Sequence, residues 1–267
     1  MGNMPRALQL FRIREYEELL ERVRESKDFL KDLYEYYSST KSLARARATR
    51  AWSARISDER ISFTSPSHPG NALEGSLEYS LAYKIPFARG EERAYVEGRV
   101  RCLHLCWVRR RSDILALFDI PYRGLARTLA EGISLAILGR PDALLPLRLG
   151  LDDLEALEAW IRGNRGGGGG ALIRSVFAGV TFGGARFDEM SLRRAPLEDL
   201  ELYEELKKNS RRWKYLTLVT PPIEEVGARL TCRLSDGGGV IVYGRVELSA
   251  IDALLARLEE VLGLRVR

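Results

Sequence analysis

The segment that decides the fold class reads Ala228-Arg-Leu-Thr-Cys-Arg-Leu234, Ser235-Asp-Gly-Gly-Gly239, Val240-Ile-Val-Tyr-Gly-Arg-Val246. Apolar and polar residues alternate in its first and third parts, which is the pattern of half-buried β-strands. The middle part is typical of a hairpin turn, because glycine adopts positive φ without strain. The sequence therefore predicts a β-hairpin over 228–246.

A helix is expected directly after this hairpin. Apolar residues recur there at helical spacing and would share one face: Ile251, Leu254, Leu255, Leu258 and Leu262. Ser249 is the expected N-cap, with Asp252 as the acidic partner of a capping box, and Gly263 supplies the stop. The C-terminal region is thus predicted to be a β-hairpin plus an amphipathic helix.

Similar patterns recur upstream. Alternating or continuously apolar runs predict strands over 61–64, 73–87, 95–108, 114–120, 144–149, 172–182, 186–192 and 213–219. Helical spacing predicts helices over 41–55, 122–138, 152–161 and 197–208. Hairpin connections dominate over strand–helix–strand units. We therefore predict an α+β protein with a mainly antiparallel β-sheet packed by helices.

A long N-terminal helix is expected from Phe11 to Tyr37. The apolar positions on one face would be Tyr16, Leu19, Leu20, Val23, Leu30, Leu33, Tyr34 and Tyr37. Heptad spacing within this set is compatible with a short coiled-coil seam, which would mediate self-association or contact with a protein partner through the Tyr16–Tyr37 helix, but Ser26 and Lys27 interrupt it and favour the internal alternative. Packing on the chain's own sheet is the other interpretation of the same stripe.

One low-complexity segment, Gly163-Asn-Arg-Gly-Gly-Gly-Gly-Gly170, interrupts the chain. Glycine-rich segments are flexible, and ordering them costs entropy. We expect an N-terminal lobe over 1–162, a linker or mobile loop over 163–170 and a C-terminal lobe over 171–267. The run does not end in Gly-Lys-Ser/Thr, so it lacks the lysine and hydroxyl of a phosphate-binding loop.

Composition narrows the class of protein. The 267 residues are 45% hydrophobic and 30% charged, with a formal net charge of +5, which fits a basic globular protein. Three cysteines are an odd and sparse set, which favours a reducing compartment, and we expect the cytoplasm. No apolar run reaches the roughly 18 residues of a membrane span. Arginine outnumbers lysine, as in GC-rich genomes or a thermophilic source.

Basic clusters carry the functional prediction. Guanidinium groups bind phosphates and aromatic rings stack on bases, so arginine and lysine beside tryptophan favour nucleic acid. The predicted contacts are Arg45, Arg47, Arg50, Trp52, Arg109, Arg110, Arg111, Lys207, Lys208, Arg211, Arg212 and Lys214. We therefore expect a non-catalytic protein that binds DNA or RNA, or a subunit of a nucleic-acid-processing complex.

Residues typical of metal sites occur in Cys102-Leu-His104-Leu-Cys106. In a strand, successive members of this set would lie about 6.5–7 Å apart on one face, too extended to enclose one ion. Core packing of two thiols and a hydrogen-bonded histidine is the better interpretation. We therefore predict no metal site and no cofactor.

Two alternatives to nucleic-acid binding remain open at this stage. An assembly or adaptor protein would dock through the N-terminal helix. A metal-dependent phosphodiester enzyme would use Asp119, at the end of an apolar strand, and would need at least two further carboxylates close to it. Since no second carboxylate is close in sequence, we do not expect an enzyme.

Overall fold

The structure, a computed structural model, describes residues 5–25, 29–33, 53–89, 92–110, 112–120, 123–163, 169–193 and 200–264. The strands in this part of the chain are β1 (Arg6–Ile13), β2 (Phe29–Asp32), β3 (Ser53–Thr64), β4 (Asn71–Arg89), β5 (Glu92–Arg109), β6 (Ile114–Phe118), β7 (Leu144–Pro146), β8 (Ala171–Phe182), β9 (Ala185–Arg193), β10 (Arg212–Val219), β11 (Thr231–Ser235) and β12 (Gly239–Tyr243). The helices are α1 (Tyr16–Arg24), α2 (Arg123–Leu138), α3 (Leu151–Gly163), α4 (Glu201–Lys208) and α5 (Leu248–Val261).

Internal contacts divide the chain into two compact units. The terminal unit comprises Met1–Leu10, His68–Gly70 and Pro146–Arg267. The central unit comprises Phe11–Ser67 and Asn71–Leu145. The division expected at 163–170 stays a prediction, and residues 164–168 of that segment lie outside the described residues.

The central unit is built on an antiparallel sheet in the order β2-β3-β4-β5-β6. Helices α1 and α2 belong to the same unit, and Arg22 of α1 donates a hydrogen bond to the Ile137 carbonyl of α2 at 3.1 Å. The core formed by these helices and strands includes Leu19, Leu20, Val23, Leu77, Val108, Leu117, Leu125, Leu129 and Ile133.

Strand pairing in the terminal unit is antiparallel and follows the order β1-β12-β11-β10-β8-β9. Arg6 of β1 pairs with Val242 of β12, and Leu8 pairs with Val240. Its three helices are α3, α4 and α5. Helix α3 contacts β8, β10 and α5, and α4 contacts β8.

The long N-terminal helix was a wrong prediction. The first described element is strand β1, and the described residues form twelve strands and only five short helices, so sheet outweighs helix. Helix α1 has nine residues, and its apolar side chains Leu19, Leu20 and Val23 are buried in the unit's own core. Leu30 of the expected stripe lies in strand β2 with 63% of its surface exposed.

This error has a physical cause. The apolar stripe really continues for only two helical turns, and Ser26 and Lys27 interrupt it before Phe29. Leu8 and Leu10 of β1 flank the less buried Gln9, but Phe11 is buried as well, and the ladder partner β12 is far away in sequence. Local spacing therefore favoured the wrong element.

The C-terminal hairpin and helix lie where the sequence predicted them. Strands β11 and β12 pair through Leu234 and Val240, and Gly238 in the turn has φ of +76°. Helix α5 follows and ends before Gly263, which has φ of +61°. The predicted capping box was wrong, because Glu247 is the N-cap residue and makes no side-chain cap hydrogen bond.

Two further helix predictions need correction or fall outside the description. The helix expected over 41–55 lies outside the described residues except for 53–55, which belong to β3. The helix expected to begin at Leu197 begins at Glu201. Among the described residues, none of the helices is both long and apolar enough to cross a membrane.

Candidate nucleic-acid interface

Strand β10 separates the two faces of the terminal unit's sheet. Its buried side chains are Trp213, Leu216 and Leu218, whereas Tyr215 and Thr217 are only half-buried. The first set lies toward the helices, because Trp213 donates a hydrogen bond from Nε1 to the carbonyl just before α3, that of Gly150, at 2.6 Å. We call the face that carries Tyr215 and Thr217 the polar face.

A row of arginines crosses this polar face from strand to strand. Arg193 of β9 is paired with Arg174 of β8, and Arg174 is paired with Thr217 of β10. Thr217 is paired on its other side with Arg233 of β11. Side chains at directly paired positions lie about 4.5–5.5 Å apart at Cβ. Four neighbouring strands thus place three guanidinium groups in one line.

Tyr215 organises two of these arginines. The guanidinium carbon of Arg174 lies over its ring at 5.4 Å from the centroid, and that of Arg233 at 5.2 Å. Cations in this position are attracted by the ring's quadrupole. The Nε of Arg174 also donates a hydrogen bond to Ser191 Oγ at 3.2 Å. The two guanidinium groups, approaching from the strands on either side of β10, are therefore held in place before any ligand arrives.

The charge of this row is not neutralised by its described neighbours. Within the described part of the chain, no carboxylate forms an ion pair with Arg174, Arg193 or Arg233. The nearest acidic residue on β9, Glu189, is instead paired with Lys214. The row therefore presents positive charge with N–H donors available for an anion.

A second aromatic residue lies on the same face. Tyr243 of β12 is paired with Thr231 of β11, while Arg233, two residues further along β11, is paired with Ile241. Tyr243 and Arg233 are therefore diagonal neighbours, about 7–8 Å apart. Tyr243 is 37% exposed, so its ring remains accessible from solvent.

Part of the predicted contact set lies outside the description. Arg45, Arg47, Arg50, Trp52 and Arg111 are outside the described residues. Their part in binding stays a prediction. Arg110, at the end of β5 in the central unit, is exposed as a phosphate contact requires.

Arg109 is placed differently from the expectation. It is completely buried in the central unit, and its Nη1 donates a hydrogen bond to Asn71 Oδ1 at 2.8 Å. Asn71 in turn donates to Glu74 Oε1 at 3.0 Å. The side chain supports the start of β4 from inside, because strand β5 turns its residue 109 inward.

Three cations of the cluster from Lys207 to Lys214 are paired with acids, most of which are distant in sequence. Lys207 pairs with Glu158 at 2.8 Å and with Glu204 at 3.1 Å. Arg212 pairs with Asp236 at 3.4 Å, and Lys214 pairs with Glu189. The positive charge of these three side chains is therefore compensated within the protein. Lys208 and Arg211 of the same cluster are exposed.

The cysteine and histidine residues of β5 are packed rather than arranged as ligands. His104 Nδ1 donates to the Phe118 carbonyl at 3.0 Å, which leaves Nε2 to accept from the Tyr79 hydroxyl at 3.0 Å. Burial lowers the pKa of His104, although the Phe118 carbonyl and the Asp119 carboxylate oppose that shift. Burial also raises the pKa of the Cys106 thiol. Because its pKa is lowered from 6.5, the His104 ring is neutral at pH 7.

Asp119 is exposed and has φ of +54°, a left-handed conformation that aspartate tolerates at turns. Among the described residues, no group of three or more His, Cys, Asp or Glu side chains lies close enough together to hold a metal ion. The further carboxylates that a metal-dependent enzyme at Asp119 would need are not gathered there in the described residues.

No protein-family model matches the chain, and no curated protein or solved structure matches it. A functional conclusion therefore depends on the geometry of the side chains. The polar face brings together three arginines without a described ion pair and the exposed ring of Tyr243.

Sequence reasoning missed Arg174, Arg193, Arg233, Tyr215 and Tyr243. The signal was present in the two-residue period of the strands, since Tyr215-Leu-Thr217 and Thr231-Cys-Arg233 place polar residues on the face opposite to buried leucine and cysteine. The predicted contacts came instead from basic residues that are contiguous in sequence. A row across a sheet is dispersed along the chain, so strand order and register are needed to recognise it.

Proposed function

We propose that this protein is a non-catalytic nucleic-acid-binding protein that contacts phosphates through the polar face of its terminal unit. The observation that carries the proposal is the row of Arg193, Arg174 and Arg233 across four strands. Guanidinium groups bind phosphate oxygens through paired N–H donors and keep their charge at any physiological pH. A polyanion with regularly spaced phosphates is the partner that matches such a row.

Preorganisation supports the same proposal. Ordering a free arginine side chain on binding costs entropy, about 0.5–1.5 kcal/mol for each immobilised side chain. The contacts of Arg174 with Tyr215 and Ser191, and of Arg233 with Tyr215, restrict these side chains in the free protein. Less entropy is then lost when a phosphate arrives.

Additional contacts are proposed from the exposed members of the predicted set. Lys208, Arg211 and Arg110 remain candidates, because their side chains reach solvent. Arg45, Arg47, Arg50, Trp52 and Arg111 remain candidates from the sequence. Membership of a larger nucleic-acid-processing complex is also part of the proposal.

A cytoplasmic location is proposed with this function. Cys102, Cys106 and Cys232 are free thiols, as expected in a reducing compartment.

The test is equilibrium binding of fluorescently labelled 20-nucleotide oligomers, followed by anisotropy across salt concentrations. The variant R174Q/R193Q/R233Q removes the row. The matched control R22Q/R127Q/R257Q removes the same charge from arginines that pair with Glu18, Glu131 and Glu260.

We expect wild type and control to bind with affinity that falls steeply with salt. The row variant should bind more weakly, and its slope of log affinity against log salt should be shallower by about 2 to 3, since each lost phosphate contact contributes about 0.7–0.9. Equal affinity and slope for the two triple variants would refute the assignment to this face. No salt-dependent binding by wild type would refute the function itself.

A further inference from the structure

The two tyrosines of the polar face offer different chemistry. Tyr215 already has the guanidinium groups of Arg174 and Arg233 over its ring, so this cluster presents N–H donors to a ligand. Tyr243 is 37% exposed, so its ring is accessible to a planar group. One face thus combines a phosphate-binding pair with an accessible aromatic surface.

We infer that this face binds single-stranded nucleic acid, with phosphates on Arg174 and Arg233 and one base stacked on Tyr243. The inference deepens the proposed function, on which it rests, by naming the form of nucleic acid. DNA and RNA share the chemistry required, which is a charged backbone with unpaired bases.

The register makes simultaneous contact feasible. Tyr243 and Arg233 occupy diagonal positions on neighbouring strands, about 7–8 Å apart. In a nucleotide, the sugar separates the base from its phosphate, so a base on Tyr243 keeps its phosphate within reach of the flexible Arg233 side chain. The next phosphate along the strand can then extend toward Arg174, which lies two strands away across Thr217.

Base stacking on Tyr243 selects against a duplex. In double-stranded nucleic acid the base faces are already stacked on one another, and taking a base out of the stack costs a few kcal/mol. A single strand has base faces available without that cost, and stacking on an aromatic side chain tolerates every base. The arginine row alone would attract both forms, so Tyr243 is the residue that separates them.

Tyr215 is a positioning residue in this arrangement. It acts on the ligand through Arg174 and Arg233, which it holds by cation–π attraction. Substitution Y215F keeps the ring and should keep both affinity and salt slope. Substitution Y215L removes the ring's electrostatic attraction and should weaken binding. The slope of log affinity against log salt should also become shallower, whereas a general loss of packing would leave that slope unchanged.

The experiment compares a 12-nucleotide single-stranded DNA, the same sequence as RNA, and a 12-base-pair duplex, all with wild type, Y243A, Y243F and R174Q/R233Q. Wild type should bind single strands more tightly than the duplex. Y243A should lose about 5- to 150-fold in single-strand affinity, which is the range for one stacked base. Y243F should retain it, because stacking uses the ring and not the hydroxyl.

The duplex serves as the internal control. Its affinity should change less than about twofold in Y243A, whereas R174Q/R233Q should weaken binding to all three oligomers and reduce the single-strand salt slope by about 1.4. A 2-aminopurine base in the strand should lose fluorescence on binding wild type and Y243F, and keep it with Y243A. Comparison of the DNA and RNA strands then assigns the preferred sugar.

The results separate the two proposals. If wild type binds oligomers but Y243A binds single strands and duplex as wild type does, the stacking inference is overturned and the broader function stands. If Y243A weakens duplex and single strand equally, single-strand selection is overturned. If wild type binds none of the oligomers, both proposals fail.

Discussion

Substitution of Lys207 distinguishes two roles for this side chain, a buried ion pair within the terminal unit and a contact with a phosphate. Its Nζ lies 2.8 Å from Glu158 Oε2, and Glu158 is only 4% exposed. Tyr203, also buried, donates its hydroxyl to the other oxygen of the same carboxylate. The structure therefore assigns Lys207 to a buried ion pair, whereas its neighbour Lys208 is exposed.

The variant K207M should destabilise the terminal unit substantially. Removing one partner of a buried pair costs about 3–5 kcal/mol, because the remaining charge is left uncompensated. Tyr203 still donates to Glu158, so we expect the lower end, about 3 kcal/mol. The second pair, with the more exposed Glu204, adds no more than about 1 kcal/mol. The total loss is then about 3–4 kcal/mol, and at roughly 2–4 °C per kcal/mol the melting temperature should fall by about 6–16 °C.

The assay is thermal unfolding followed by circular dichroism, together with oligomer binding at a temperature where every variant is folded. K208M is the matched control, and its stability should stay within about 0.5 kcal/mol of wild type. The double variant E158Q/K207M should recover part of the loss, because no buried charge is left alone while Tyr203 keeps an acceptor. A K207M protein as stable as K208M but weaker in binding would refute the reasoning and return Lys207 to the phosphate contacts.

Three further predictions concern the cores of the two units. Burial lowers the pKa of His104 from its ordinary 6.5, so the unfolded chain takes up a proton first as the pH falls. The free energy of unfolding, measured by urea denaturation, should therefore decrease between pH 7 and pH 5. The variant H104Q should show a flatter pH profile. Iodoacetamide should label native protein at half-buried Cys102 alone, as read by mass spectrometry, because Cys106 and Cys232 are buried and burial raises the pKa of Cys232 to about 12; three labels in the native state would contradict this. G75A should lose about 1–3 kcal/mol, since an added Cβ would lie 2.2 Å from the Ser62 carbonyl oxygen, whereas G124A, with open space around it, should be neutral in the same denaturation assay.

Much of the local structure was predictable because it depends on local signals. Alternation identified β4, β5 and the hairpin of β11 and β12, and Gly183 and Gly184 marked the turn between β8 and β9 with positive φ. Helix α2 ends at Leu138, followed by Gly139 with φ of +71°, as glycine at that position indicates. In each of these elements, one period or one turn residue determines the structure.

The prediction of a long N-terminal helix was wrong because nonlocal strand pairing overrides local helix propensity. Strand β1 pairs with β12, which is distant in sequence, and the helical spacing after β1 extends only over the nine residues of α1. The arginines of the polar face were not predicted from the sequence for the same reason. Arg174, Tyr215 and Arg233 become neighbours through the register of β8, β10 and β11, and the acids that neutralise Lys207 and Arg212 come from α3, α4 and the β11–β12 turn.

The pairing of β1 with β12 has a consequence for how the chain is made. Residues 6–9 leave the ribosome long before their ladder partners at 239–242, because translation runs from the N-terminal to the C-terminal side. Until then, Leu8 and Leu10 belong to an apolar strand that lacks its β12 partner, and such an edge is prone to misassociation. The pairing of β1 with β12 can therefore form only after residues 239–242 have emerged, while every residue of the central unit is already available by Leu145.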